Sequence, residues 1–169
     1  MNATGRVHGI QITATSGSPM ESVERVRAHA GRGLEGDRYH AGVGEWSAKP
    51  GGGRGVTLVS AEAIEAANAE HPGLDVEPID TRRNVTVRGL DLNDLVGREF
   101  LIGDVRCVGV RLAEPCAYLQ GLLGKPILPT LVHRAGLRAD ILTDGVIAIG
   151  DAIVVLGEAR ATDELAPSA

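Results

Sequence analysis

Almost nothing aromatic is available to build an interior: one Trp, two Tyr and one Phe stand in 169 residues. A core must therefore be filled by Val, Ile, Leu and Ala. Val and Ile are stiff at their first side-chain torsion and favour pleated, half-buried strands. Glycine is abundant, at 23 positions, which fits many tight turns. The length suits one domain better than two and can bury a core without staples. These features predict a mainly β fold with a few short helices. Strands that do not alternate with long helices argue against a doubly wound sheet. A closed or nearly closed barrel suits short strands with glycine corners.

Along the chain, Val7, Ile10 and Ile12 predict a first strand, closed by the turn residues at 15–19. The spacing of Val23 and Val26 fits either an extended segment or a helix. The glycine-punctuated stretch at 31–46 reads as a loop, and KPGGGRG at 49–55 as a mobile one. VTLVS at 56–60 reads as a buried strand, with Ser60 capping a helix over AEAIEAANAEH. RRNVTVRG at 82–89 alternates as a strand does. Residues 98–112 predict a hairpin around Gly103-Asp104. PCAYLQGLLG at 115–124 predicts a short helix, begun by Pro115 and stopped by Gly124. A helical turn within ILPTLVHRAG, then strands in LRADIL and VIAIGDAIVVL, complete the domain over 1–156. The tail at 157–169 is expected to fray.

The formal net charge is −5 with no basic run, so no nucleic-acid footprint is expected. No stretch of about 20 apolar residues predicts a membrane span, and the amino terminus lacks a signal core. Cys107 and Cys116 are expected to be reduced thiols, in keeping with a cytoplasmic protein.

Cys116 is the sharpest chemical candidate. It follows Pro115 at the expected start of a helix, where unpaired amides favour a thiolate. It equally fits simple packing, because Leu119 and Leu123 share its helical face. Cys107 alternates with valines in a strand and reads as a small core residue. Arg82-Arg83-Asn84 is the second cluster. Guanidinium forks bind phosphate bidentately, yet two adjacent arginines also suit a solvated strand. Asp37, Arg38, Tyr39 and His40 form a dense polar group between glycines. Asp37 and Arg38 fit a tied-down turn, and Tyr39 or His40 could stack on a heterocycle or donate to a phosphate. The histidines are scattered without zinc-ligand spacing. The glycine runs match no nucleotide-binding pattern.

The order of these motifs carries more than each alone. GLEGDRY at 33–39, VTLVS at 56–60, RRN at 82–84, DLNDLVGREFLIG at 91–103, EPC at 114–116 and a GxIxxGD-like run near 145–151 resemble the MOSC domain family. That family includes the carboxyl-terminal domain of molybdenum-cofactor sulfurases and short stand-alone bacterial proteins, which this chain resembles most. The resemblance implies a mixed β-barrel like the barrel domain of pyruvate kinase. It implies that Cys116 accepts sulfur or ligates molybdenum of a molybdenum–pterin cofactor. It also implies that Arg82, Arg83, Asn84, Asp37, Arg38, Tyr39 and His40 shape or contact the cofactor site. No pyridoxal phosphate is expected, because the sulfurase's aminotransferase-like domain has no counterpart here.

Two classes of function follow as expectations. One is an enzyme-like role in sulfur transfer or in molybdenum-dependent reduction of N-hydroxylated compounds, served by an electron or sulfur donor protein. The other is a non-catalytic carrier of cofactor or sulfur. The oligomeric state is not constrained by the sequence.

Overall fold

A computed structural model describes residues 4–48 and 51–157. In chain order the elements are β1 (Thr4–Ile12), β2 (Glu21–Val23), β3 (Arg25–His29), β4 (Gly33–Leu34), α1 (Arg38–Ala41), β5 (Val56–Ser60) and α2 (Ala61–Glu70). After a 3-10 turn at Pro78–Thr81 come β6 (Val85–Arg88), a second 3-10 turn at Leu92–Leu95, β7 (Glu99–Ile102) and β8 (Val105–Leu112). The chain ends through α3 (Ala117–Leu123), α4 (Ile127–Thr130), β9 (Leu137–Ile141), β10 (Gly145–Ala148) and β11 (Ala152–Leu156).

Seven strands pair in the order β11-β7-β8-β9-β5-β6-β1, and β1 returns to β11 with Gly5 opposite Ile153. The result is a closed, mixed barrel. Only β5 and β6 run parallel within it. A parallel pair needs a long crossover, and α2 lies in the connection. Strand β2 adds to the β1 edge, while β10, β3 and β4 form a separate small sheet. Among the described residues, no helix is long and apolar enough to cross a membrane.

Val7, Ile10, Leu58, Val85, Phe100, Cys107 and Ile153 belong to the barrel core, all almost fully buried. A second core lies outside the barrel wall, where Ile64 and Ala67 of α2 meet Leu119, Ile127 and Leu131. This explains the unbroken apolar run of β5. Val56 and Leu58 face the barrel interior, while Val59 faces the helices. Strand periodicity disappears where both faces are covered.

Several segments differ from their sequence readings. Residues 21–29 form two strands, so the helical alternative is not taken. The 31–46 stretch is not all loop: it contains β4 and α1, with Asp37 capping α1 and Gly42 ending it at φ +77. The strand expected over 82–89 is confined to Val85–Arg88, because Arg82 takes a left-handed φ of 62. The glycine loop is held at Gly53, whose N–H donates to Asp140 Oδ1 at 2.6 Å. Lys49, Pro50 and the tail from 158 onward lie outside the described residues.

Candidate functional site

Cys116 is the N-cap of α3 rather than a residue within it, and its Sγ accepts the Leu119 N–H at 3.5 Å. It is half-buried, whereas Cys107 is sealed in the barrel; both thiols are free. Burial pushes the Cys107 thiol up to about 12, and the Asp140 charge adds to this.

Arg83 holds the approach to Cys116. Its guanidinium is buried and donates to Ala113 O at 2.7 Å, Glu114 O at 3.3 Å and Ala135 O at 3.0 Å. Three backbone carbonyls from the segments flanking the thiol are thus tied to one side chain. Burial lowers the Arg83 pKa, the neighbouring Arg138 lowers it further, and the Cys116 sulfur works in the opposite sense.

Arg82 is differently placed. Its left-handed backbone turns the side chain away from the β6 line, and Nη1 donates to Ser18 O at 2.6 Å. Its Nη2 is buried with no partner. Burial lowers its pKa first, and Arg38 next. A buried guanidinium N–H without an acceptor costs stability unless something arrives to accept it.

Arg38 and Asp37 build the wall behind Arg82. Asp37 accepts from Thr13 N at 3.2 Å, Tyr39 N at 3.3 Å and Arg38 Nη1 at 3.1 Å. Arg38 Nη2 reaches the Arg82 carbonyl at 3.3 Å, and its guanidinium lies 4.9 Å from the Tyr39 ring centroid. The adjacent Asp-Arg pair is therefore a tied-down turn that also carries charge into the site.

These groups meet in one cleft with Arg138 of β9, Thr57 of β5 and Ser16 of the loop after β1. Tyr39, Trp46 and Tyr118 line the same cleft. The chain has one Trp and two Tyr, so all of them stand here, while its Phe is in the barrel core. Trp46 meets Tyr118 edge-on at 6.5 Å. Four arginines line the cleft, Arg38 among them already paired with Asp37, and Glu45 is the one carboxylate that lines it among the described residues. No histidine lines it among the described residues. No three His, Cys, Asp or Glu side chains converge as a metal-ligand set among those residues.

The expected site residues thus divide. Cys116, Arg82, Arg83, Arg38 and Tyr39 come together at the cleft. Asp37 and Asn84 stand behind it. Asn84 accepts from Thr57 N and Oγ1 at 3.1 Å and donates to Gln11 O at 3.2 Å, so its amide ties β1 to β5. His40 is elsewhere, with its ring 4.9 Å from that of His29. Trp46, Tyr118 and Arg138 were missed. The signal for the two aromatics was their scarcity, since core positions did not demand them. Arg138 alternates with buried residues in β9 like an ordinary surface arginine.

A roomier groove of about 440 Å³ lies between Gly89–Asn93 and His133. There Glu114 accepts the His133 N–H at 2.6 Å, and its other oxygen pairs with His133 Nδ1 at 2.6 Å. It lacks the convergence of cations, aromatic rings and thiol. The Cys116 cleft is tighter, with about 30 Å³ of free volume, room for one or two waters.

The MOSC domain family matches residues 5–154 of the chain. Among solved structures, the YUAD protein from Bacillus subtilis is similar at 18% identity and a TM-score of 0.76, covering 92% of this chain and 97% of that one. YiiM from Escherichia coli is similar at 17% identity and a TM-score of 0.65, covering 98% and 76%. YiiM from Geobacillus stearothermophilus shows 16% identity and a TM-score of 0.69, covering 94% and 81%. At these identities the likeness speaks to fold. No curated protein matches the chain significantly.

Proposed function

The chain belongs to the MOSC domain family, and on that premise we propose that the Cys116 cleft holds a molybdenum–pterin cofactor, or sulfur destined for one, as a carrier. One observation supports this above others. The half-buried thiol, four guanidinium groups and every Trp and Tyr of the chain line a single cleft. Phosphate, heterocycle and soft metal each find matching chemistry there: charged forks, aromatic faces and a thiol.

The residues present suit such a group. Arg82, with its unpaired Nη2, would take the phosphate, and Arg38 would add charge behind it. Tyr39, Trp46 and Tyr118 would flank the ring. Cys116 would offer sulfur to molybdenum or carry a persulfide. When bound, the cofactor would supply a redox-active metal or a sulfur acceptor. A ring needs more than about 30 Å³. Entry would therefore require the cleft to widen. Arg83 serves as a brace in this reading, since its donors are already engaged by carbonyls.

The test is metal, pterin and persulfide analysis of protein purified from a host that makes the cofactor and from one that does not. Wild-type protein from the first host is expected to carry pterin with molybdenum, or a persulfide on Cys116. Cys116→Ser should keep pterin and lose the metal or the sulfur. Wild-type protein that carries neither pterin, molybdenum nor a persulfide from either host would overturn the proposal. Reduction of an N-hydroxylated base with a supplied electron donor, abolished in Cys116→Ser, would make the protein an enzyme instead of a carrier.

A further inference from the structure

The arginines do not stop at the rim of the cleft. Arg138, on its wall, stands opposite Arg111 in the β8–β9 ladder. Like charges directly opposite on neighbouring strands repel. Arg54, on the glycine loop, adds a third guanidinium. Burial lowers the pKa of Arg111 and Arg138, and Arg54 lowers both further. Asp140 is the carboxylate that Arg111 senses, and one of its oxygens is taken by the Gly53 N–H. The neutral partners are carbonyls: Arg111 Nη1 donates to Gly52 O at 3.0 Å and Arg54 Nη1 to Gly51 O at 2.8 Å.

Arg54 Nε is buried without a partner, as Arg82 Nη2 is. The link between the two orphaned N–H groups is Arg138, which lines the cleft with Arg82, Arg83 and Arg38 and faces Arg111 across the ladder. Gly53, beside Arg54 on the loop, packs against both: a Cβ there would meet Arg138 Cβ at 3.1 Å and Arg111 Nη1 at 3.2 Å. This concentration occurs in a protein of net charge −5. A single phosphate engages one end of such a row and leaves the other uncompensated.

We propose that Arg54 and Arg111, beside Arg138 at the wall of the cleft, form a second anion subsite, so that the site takes a ligand with two linked phosphate groups, of the diphosphate ester class. The forked geometry of guanidinium suits phosphate oxygens, and the confined cleft suits a small ligand rather than a nucleic-acid strand. The inference rests on anion binding at the Cys116 cleft. It does not depend on the pterin.

Trp46 lines the cleft and is the chain's one tryptophan, so its fluorescence reports on this site. The probes are inorganic phosphate, pyrophosphate and tripolyphosphate, titrated at constant ionic strength. Wild-type protein is expected to bind at least one polyphosphate about tenfold or more tightly than phosphate. Arg54→Gln and Arg111→Gln should each remove most of that gain and leave phosphate affinity in place. Arg82→Gln should weaken all three probes. Arg6→Gln, remote and exposed, controls for net charge, and circular dichroism checks that each variant folds. Equal wild-type affinity for all probes, no binding of any, or a gain that survives both Arg54→Gln and Arg111→Gln would overturn the second subsite. Equal loss in Arg6→Gln would do the same. The pterin reading fails separately, if cofactor-making cells yield no pterin while the polyphosphate gain persists.

Discussion

The two cysteines and the two adjacent arginines show how little a residue type says before its surroundings are known. Cys107 lies fully buried with its thiol pushed up to about 12, while Cys116 caps a helix at a cleft. Timed alkylation of the folded protein at neutral pH should modify Cys116 first, with Cys107 reacting only on unfolding. Equal rates would remove Cys116 from the site. The buried thiol also carries a pH consequence. Its folded pKa is raised above the ordinary thiol value of about 8.5. Its contribution to stability is therefore complete below that value and is lost as pH rises toward about 12. Relative to Cys107→Ala, the wild type should lose about 1.4 kcal/mol per pH unit in that window, read from urea midpoints. For the arginines, Arg83→Met should destabilise the fold by roughly 2–4 kcal/mol, because three carbonyls lose their donor. Arg82→Met should cost about 1 kcal/mol or less, yet abolish tight phosphate binding. Equal losses of stability would contradict the division into brace and anchor.

At the level of elements, glycine geometry sorts tight contacts from open turns. Gly136 precedes β9 at φ +122, and a Cβ there would meet the Leu58 carbonyl oxygen at 2.1 Å. Gly73 ends the α2 region at φ +91 with nothing within 4 Å. Gly136→Ala should thus cost roughly 3 kcal/mol or more, and Gly73→Ala about 1 kcal/mol, in denaturant melts. A reversed order would mean that β9 can shift away from β5. Ser60 was readable as a cap from sequence, and its Oγ accepts the Ala63 N–H at 3.1 Å. Ser60→Ala should cost about 1 kcal/mol. The helix containing Arg38 was harder to read. Four residues give no periodicity, and only Asp37 and Gly42 mark its ends.

For the molecule as a whole, closure of the barrel is what brings the cleft together. The cleft draws on the loop after β1, α1, the segment before β6, the segment after β8, and β9. These pieces are distant in sequence and become neighbours because the strands pair out of order. Cys116→Ser should leave this frame intact, since the side chain is half-buried and serine is nearly isosteric. Its thermal midpoint should stay within about 3 °C of the wild type. A large drop would show that the sulfur serves packing beside Leu119, the structural alternative at this position. Phe100→Ala, in contrast, removes the largest fully buried side chain and should cost about 3–5 kcal/mol.

The scarcity of aromatics, the β-branched runs and the glycine turns were enough to predict a mainly β fold with a few short helices. The ordered motifs were enough to identify the family. These properties are local, or survive as linear order. The roles within the site are not. Arg82 and Arg83 are identical in type and adjacent in sequence. A left-handed backbone at one, and three carbonyls around the other, make one a free donor and the other a brace. Arg138 and Trp46 carry no motif, and only strand pairing and loop placement bring them beside Cys116. Hydrophobic pattern is a property of neighbours along the chain. A binding cleft is a property of neighbours in space, and which residues those are was decided when β1 closed on β11.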